Sequence, residues 1–163
     1  MKKAFLLYFS LLMISMGSFA QCPDPGYKSF DNKEWKVGDM IILQDILYSI
    51  GGGNHVLPES RDLIKQLIDF LKAHPSLTIE VGNHTDSRGS AAYNENLSLK
   101  RSESLKYELT VKYEIDESRI TAKGYGESQL RVSDEEVAKA ASDQEKEELH
   151  QCNRRTVITI TGL

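Results

Sequence analysis

Two cysteines, no excess of positive charge and no long apolar run after the first twenty residues exclude several classes of protein before any motif is read. A helix that spans a bilayer needs roughly 20 mostly apolar residues, and nothing beyond residue 20 supplies them. The formal net charge is −4 at pH 7. A general polyanion-binding surface needs the opposite balance, so nucleic acid is excluded as the main partner and any recognition of acidic groups must be local. Neither cysteine belongs to a CxxC pair, and His55, His74, His84 and His150 stand apart, so no metal site has its usual spacing. The run Gly51-Gly52-Gly53-Asn54 lacks the lysine and following Ser/Thr of a phosphate-binding loop, which leaves it as a flexible turn. No glycine-flanked nucleophile elbow is present, and the best catalytic candidates, His84 with Asp86 or Ser87, have no third member. The expectation is a binding protein with no cofactor and no catalytic site.

What is present begins with an export signal. Lys2 and Lys3 precede the apolar run Ala4 to Ile14, and Ser18-Phe19-Ala20 has the small-x-small pattern of a cleavage site, so residues 1–20 read as a removed signal peptide. The remainder, about 143 residues, fits one domain. Export to an oxidising compartment makes a Cys22–Cys152 disulfide plausible, closing a loop of roughly 130 residues for which chain entropy gives about 5 kcal/mol. Lipidation of Cys22 is the rival, although Gln21 stands where a lipobox wants a small residue.

Residues 21–36 mix Pro23, Pro25, Gly26 and charges without periodicity and read as a loosely packed leader, or as the path to the disulfide. The domain spans residues 37–163. Met40 to Tyr48, with Ile41, Ile42 and Ile46, reads as a buried strand, with a helix left open by periodicity alone. Pro58 opens a helix whose Leu63, Ile64, Leu67, Ile68 and Leu71 recur at three- and four-residue steps until Pro75. Leu77, Ile79 and Val81 alternate with polar residues in a second strand that runs into Gly82-Asn83-His84-Thr85-Asp86. A second helix takes much of 90–113, a third strand holds Ile120 and Ala122, and a fourth covers 157–161. The insertion between them, 133–151, is rich in charge and reads as a solvated helix or helical loop. The fold class is α/β, an α+β sandwich of βαβαβ-(α)-β order with helices on one mixed sheet.

Asp86, Arg101 and Asn153-Arg154-Arg155 are polar residues at element ends or on apolar faces. Arg101 shares a stripe with Leu97 and Leu105 at four-residue steps, so its charge must meet an anion or cost several kcal/mol. With Ser98 as N-cap, Arg101 would sit in a first helical turn, where free N–H groups add to its pull on a carboxylate. Its planar fork suits that guest better than a lysine would. Asp86, in a turn after a strand, can be presented outward to accept from an ammonium. The two together would read a zwitterion, or they could simply pair with each other.

The stretch Ile79 to Ser90 with its His84-Thr85-Asp86, followed by Tyr93-Asn94, Leu97-Ser98, Arg101-Ser102, Gly124-Tyr125-Gly126-Glu127 and Asn153-Arg154-Arg155-Thr156, resembles the OmpA C-terminal-like family over about residues 37–162. The resemblance implies peptidoglycan binding at the diaminopimelate of the stem peptide, in the periplasm or at the outer membrane of a Gram-negative bacterium. It implies that Asp86 and Arg101 grip the diamino acid, that Asn94 lines the groove, and that Arg154 either binds or pairs structurally. The chain departs from the family pattern at Asn83, usually glycine, and at Ser102, usually alanine. A different use of the same fold, as a protein-interaction component of an envelope or secretion assembly, would recruit the acidic insertion and the leader as contact surfaces.

Overall fold

The computed structural model describes residues 22–43, 48 and 56–163. The signal peptide, the glycine run and His55 lie outside them. Among the described residues, no helix is long and apolar enough to cross a membrane.

The chain order is β1 (Met40–Leu43), α1 (Arg61–Ala73), β2 (Thr78–His84), α2 (Ala91–Tyr107), β3 (Ile120–Gly126), α3 (Asp134–Ala138), α4 (Asp143–Asn153) and β4 (Arg155–Gly162). The strands form one mixed sheet in the order β1-β4-β2-β3. β4 runs antiparallel to both β1 and β2, whereas β2 and β3 are parallel, joined across α2. This is the α+β arrangement that the alternation of apolar periods predicts. Of the first expected strand, Met40–Leu43 forms β1, residues 44–47 lie outside the described residues, and Tyr48 forms an isolated antiparallel bridge with Val56.

α1 buries Ile64, Leu67, Ile68, Phe70 and Leu71 against Ile79, Val81, Ile158 and Ile160 of the central strands. Each such large side chain removed from water stabilises the fold by about 1.5–3 kcal/mol. A short 3-10 turn, Pro58–Ser60, precedes α1, so Pro58 starts that turn and not the α-helix itself. The leader is packed more firmly than its composition suggests. Phe30 packs tilted and Trp35 edge-on against Phe70, with ring centroids 5.5 and 4.9 Å away, and the Lys28 amide donates to the Met40 carbonyl at 2.7 Å. Aromatic area, not periodicity, is what holds this segment down.

α2 lies directly on β3 because β3 carries glycine where they meet. A Cβ on Gly124 would stand 2.4 Å from the Leu99 amide nitrogen. Gly126 has φ +50°, and the Ser98 hydroxyl accepts from its amide at 2.8 Å.

Cys22 and Cys152 form a disulfide. Cys152 is fully buried in a small second core with Val132 and Val137. The sulfur that lipidation of Cys22 would need is therefore engaged. The insertion is helical and mostly exposed, as expected, and this small core and the disulfide fasten α3 and α4 to the domain.

Candidate functional site

β2 delivers the site. Its first half alternates buried and half-buried residues, but from Gly82 onward every residue is buried, because α2 covers one face and β3 and β4 flank it. The chain leaves the sheet at His84, and Thr85 and Asp86 follow, both buried.

Asp86 is not presented outward. Its side chain is 8% exposed and is held by two guanidinium groups. Oδ2 accepts from Arg88 Nη2 at 2.7 Å, Arg88 Nε at 3.2 Å and Arg154 Nη1 at 2.5 Å, whereas among the described residues Oδ1 accepts only from the Arg88 amide, at 3.1 Å. Burial raises the Asp86 pKa, but the bonds from Arg88 and Arg154 outweigh it and bring the carboxyl down to about 2. Both arginines continue to Glu147 on α4: Arg88 Nη1 donates to Oε2 at 2.9 Å and Arg154 Nη2 to Oε1 at 2.6 Å. Two carboxylates and two guanidiniums thus close a ring. The sequence reading missed Arg88 and Glu147; neither sits on a periodic face, and Glu147 is separated from Asp86 by 61 positions that only folding brings together.

Arg101 stands apart from this ring. Asp86 and Arg101 do not pair with each other. The guanidinium carbon of Arg101 lies 5.3 Å above the Tyr48 ring, and its buried Nε has no hydrogen-bond partner. Among the described residues no carboxylate forms an ion pair with it. Burial pulls its pKa down, partly opposed by Tyr48, Tyr93 and Asp86. The expected helix start at Ser98 is not there. α2 is capped by Ser90, whose hydroxyl accepts from the Tyr93 amide at 3.3 Å, and it runs unbroken through Arg101. Arg101 therefore has no help from a helix N-terminus, and its pull on an anion is that of its side chain.

Asn94 is fully enclosed and acts as a clamp. Its Nδ2 donates to the carbonyls of Asp86 at 3.2 Å and Arg88 at 3.3 Å and to Glu127 Oε2 at 2.6 Å, which fixes the turn carrying Asp86. In the Asn153-Arg154-Arg155 triplet the three residues divide their work. Asn153 ties down Arg131 and Val132 through three bonds of 2.8–3.0 Å. Arg155 donates to the carbonyls of Asn153 and Gln129. Arg154 alone of the three reaches Asp86.

The two departures from the family pattern touch each other. Asn83 Nδ2 donates to Ser102 Oγ at 3.0 Å, Ser102 Oγ donates to the Lys123 carbonyl at 2.7 Å, and Thr156 Oγ1 donates to Asn83 Oδ1 at 2.9 Å. Tyr48, whose ring underlies Arg101, has its hydroxyl 3.4 Å from Thr156 Oγ1. Removing one partner orphans the other in a dry interior. Asn83→Gly and Ser102→Ala are each expected to destabilise by about 1–3 kcal/mol, with the double variant milder than the sum. A denaturant double-mutant cycle checks this, and strict additivity would contradict the coupling.

His84 stacks parallel on Tyr125 at 4.8 Å and serves packing, not catalysis. Burial, aided by Arg155, lowers its pKa to about 3. Between that value and its ordinary 6.5 the unfolded chain binds a proton that the folded chain does not, so stability rises with pH across this window. His84→Phe, which keeps the stacking without titrating, is expected to lose less melting temperature than wild type between pH 7.5 and 4.5. Equal losses would contradict this. Among the described residues no group of three or more His, Cys, Asp or Glu could hold a metal ion.

Known proteins resemble this chain in sequence and in fold. Outer membrane porin F of Pseudomonas fluorescens is 47% identical over 73 residues, which is 45% of this chain and 22% of that protein, so the chain covers less than a quarter of this relative's length. The solved peptidoglycan-associated lipoprotein of Burkholderia pseudomallei superposes with a TM-score of 0.54 at 22% identity, over 70% of this chain and 87% of that one. The cell wall anchor of the T6SS of Pseudomonas aeruginosa superposes with a TM-score of 0.55 at 23% identity, over 76% and 80%. These two likenesses show a common fold. Residues 51–144, more than half of the sequence, match the OmpA family, and the chain belongs to it.

Proposed function

We propose that the exported chain holds peptidoglycan non-covalently by seating the free end of the stem-peptide diaminopimelate between Asp86 and Arg101. The observation that carries this reading is the unanswered charge of Arg101, a half-buried guanidinium with an unpartnered Nε and no anion paired to it among the described residues. A buried cation of this kind is a cost that a ligand carboxylate would offset. The ligand ammonium would donate to Asp86 Oδ1, the oxygen with spare accepting capacity, while Arg88 and Arg154 keep Oδ2 in place. Asn94 holds the turn in register with α2. The reading is of a binding module and not an enzyme, working in the periplasm or at the outer membrane. Membership of the OmpA family supports it, as do relatives whose names speak of peptidoglycan association and cell-wall anchoring.

The test is retention of the oxidised chain, residues 21–163, on purified diaminopimelate-type and lysine-type peptidoglycan. Strong retention on the first and weak retention on the second is expected, because lysine lacks the side-chain carboxylate meant for Arg101. Equal retention on both would remove the diaminopimelate assignment. No retention on either would overturn wall binding and favour a role in a protein assembly of the envelope.

A further inference from the structure

Glu147 is half-exposed, on the insertion, and far in sequence from the turn that carries Asp86 and Arg88. Yet its two oxygens divide between Arg88 and Arg154, as a bound carboxylate would divide between two guanidinium groups. The helix that carries it is not free to drift. The Cys22–Cys152 disulfide fastens its last turn, and α3 is hydrogen-bonded to the same turn as Asp86 through Asp134 and Ser87. The charges then balance in a specific way: Asp86 and Glu147 neutralise Arg88 and Arg154, leaving the positive charge of Arg101 uncompensated among the described residues.

We propose that Glu147 is a built-in anion that determines specificity: it fills the Arg88–Arg154 fork, so that a ligand carboxylate is directed to Arg101 and a ligand must bring an ammonium for Asp86. This rests on the proposed zwitterion site. A ligand with one ammonium and one carboxylate places the first on Asp86 Oδ1, the oxygen with spare accepting capacity, and the second on Arg101. A dicarboxylate without an ammonium meets Glu147 and Asp86 and is rejected by like charge. Without Glu147 the fork would open as a second anion subsite, and that discrimination would fade.

Meso-diaminopimelate and pimelate test this well, since they share a carbon chain with two carboxylates and differ in the two ammonium groups. Both would be titrated by NMR into wild type, Glu147→Gln, Glu147→Gln combined with Arg88→Ala, and Glu59→Gln as the same charge change outside this network. Glu147→Gln is expected to bind pimelate about tenfold more tightly than wild type or Glu59→Gln, with the gain lost when Arg88 is also removed. No gain over Glu59→Gln, a gain that survives loss of Arg88, or wild type binding pimelate as well as diaminopimelate would each overturn the inference. The diaminopimelate arm reports on the zwitterion site separately. Wild type that ignores diaminopimelate while Glu147→Gln gains pimelate would overturn that reading and leave the anion role of Glu147 supported.

Discussion

Arg101→Ala is expected to weaken retention on diaminopimelate-type peptidoglycan by about 2–4 kcal/mol while leaving thermal stability unchanged or slightly raised. The two effects have one cause. In the unliganded chain Arg101 is a half-buried cation with an unpartnered Nε, so deleting it removes an unfavourable term from the folded state. In the complex the same deletion leaves a ligand carboxylate without its donor fork. Asp86→Asn should lower retention by a similar amount but behave differently in the melt. Its loss unbalances Arg88 and Arg154, which are 53% and 27% exposed, and because both keep contact with water the expected destabilisation is about 1–3 kcal/mol. Parallel pull-downs and melts separate binding residues from structural ones on this contrast. If Arg101→Ala retained full binding, or melted well below wild type, Arg101 would be a structural residue and the proposed site would be wrong.

Loss of the disulfide is the other large effect. Cys22→Ser with Cys152→Ser is expected to cost about 2–5 kcal/mol of unfolding free energy. Sequence separation of 130 gives the closed loop a large entropic effect on the unfolded chain. The fully buried Cys152 would also place a serine hydroxyl beside Val132 and Val137, where the apolar neighbours offer it nothing. Equilibrium denaturation of the oxidised, reduced and double-serine forms measures it. A double-serine form within about 1 kcal/mol of the oxidised protein would show that the small second core holds the insertion without the crosslink.

The architecture was legible because its signals are local. Period-two alternation in residues 77–81 and the three- and four-residue spacing in residues 63–71 each follow from one element burying one face, and they survive in the chain without knowledge of neighbours. The resemblance pointed to Asp86, Asn94, Arg101 and Arg154, and folding gathers the turn of Asp86, its Asn94 clamp and its Arg154 partner. What the chain hid were relations between distant residues. Ser98 has the chemistry of an N-cap, but its hydroxyl bonds to Gly126 and the Glu95 carbonyl inside an unbroken helix. The insertion has the composition of a solvated face, but one of its many glutamates closes an ion ring over Asp86.

By itself, then, the sequence determined the order of elements, the export signal as an expectation, and the chemical types available at the end of β2, because burial patterns and motifs are written in neighbouring residues. Tertiary structure decided which charges cancel and which stay open. Asp86 is held by Arg88 and Arg154, Glu147 satisfies the far side of both, and Asn83 with Ser102 turns two departures from a family pattern into one bonded pair. An ion pair acts over a few ångströms of space whatever the distance along the chain, so only the fold could decide that Arg88 and Arg154 are paired while Arg101 has no paired carboxylate among the described residues.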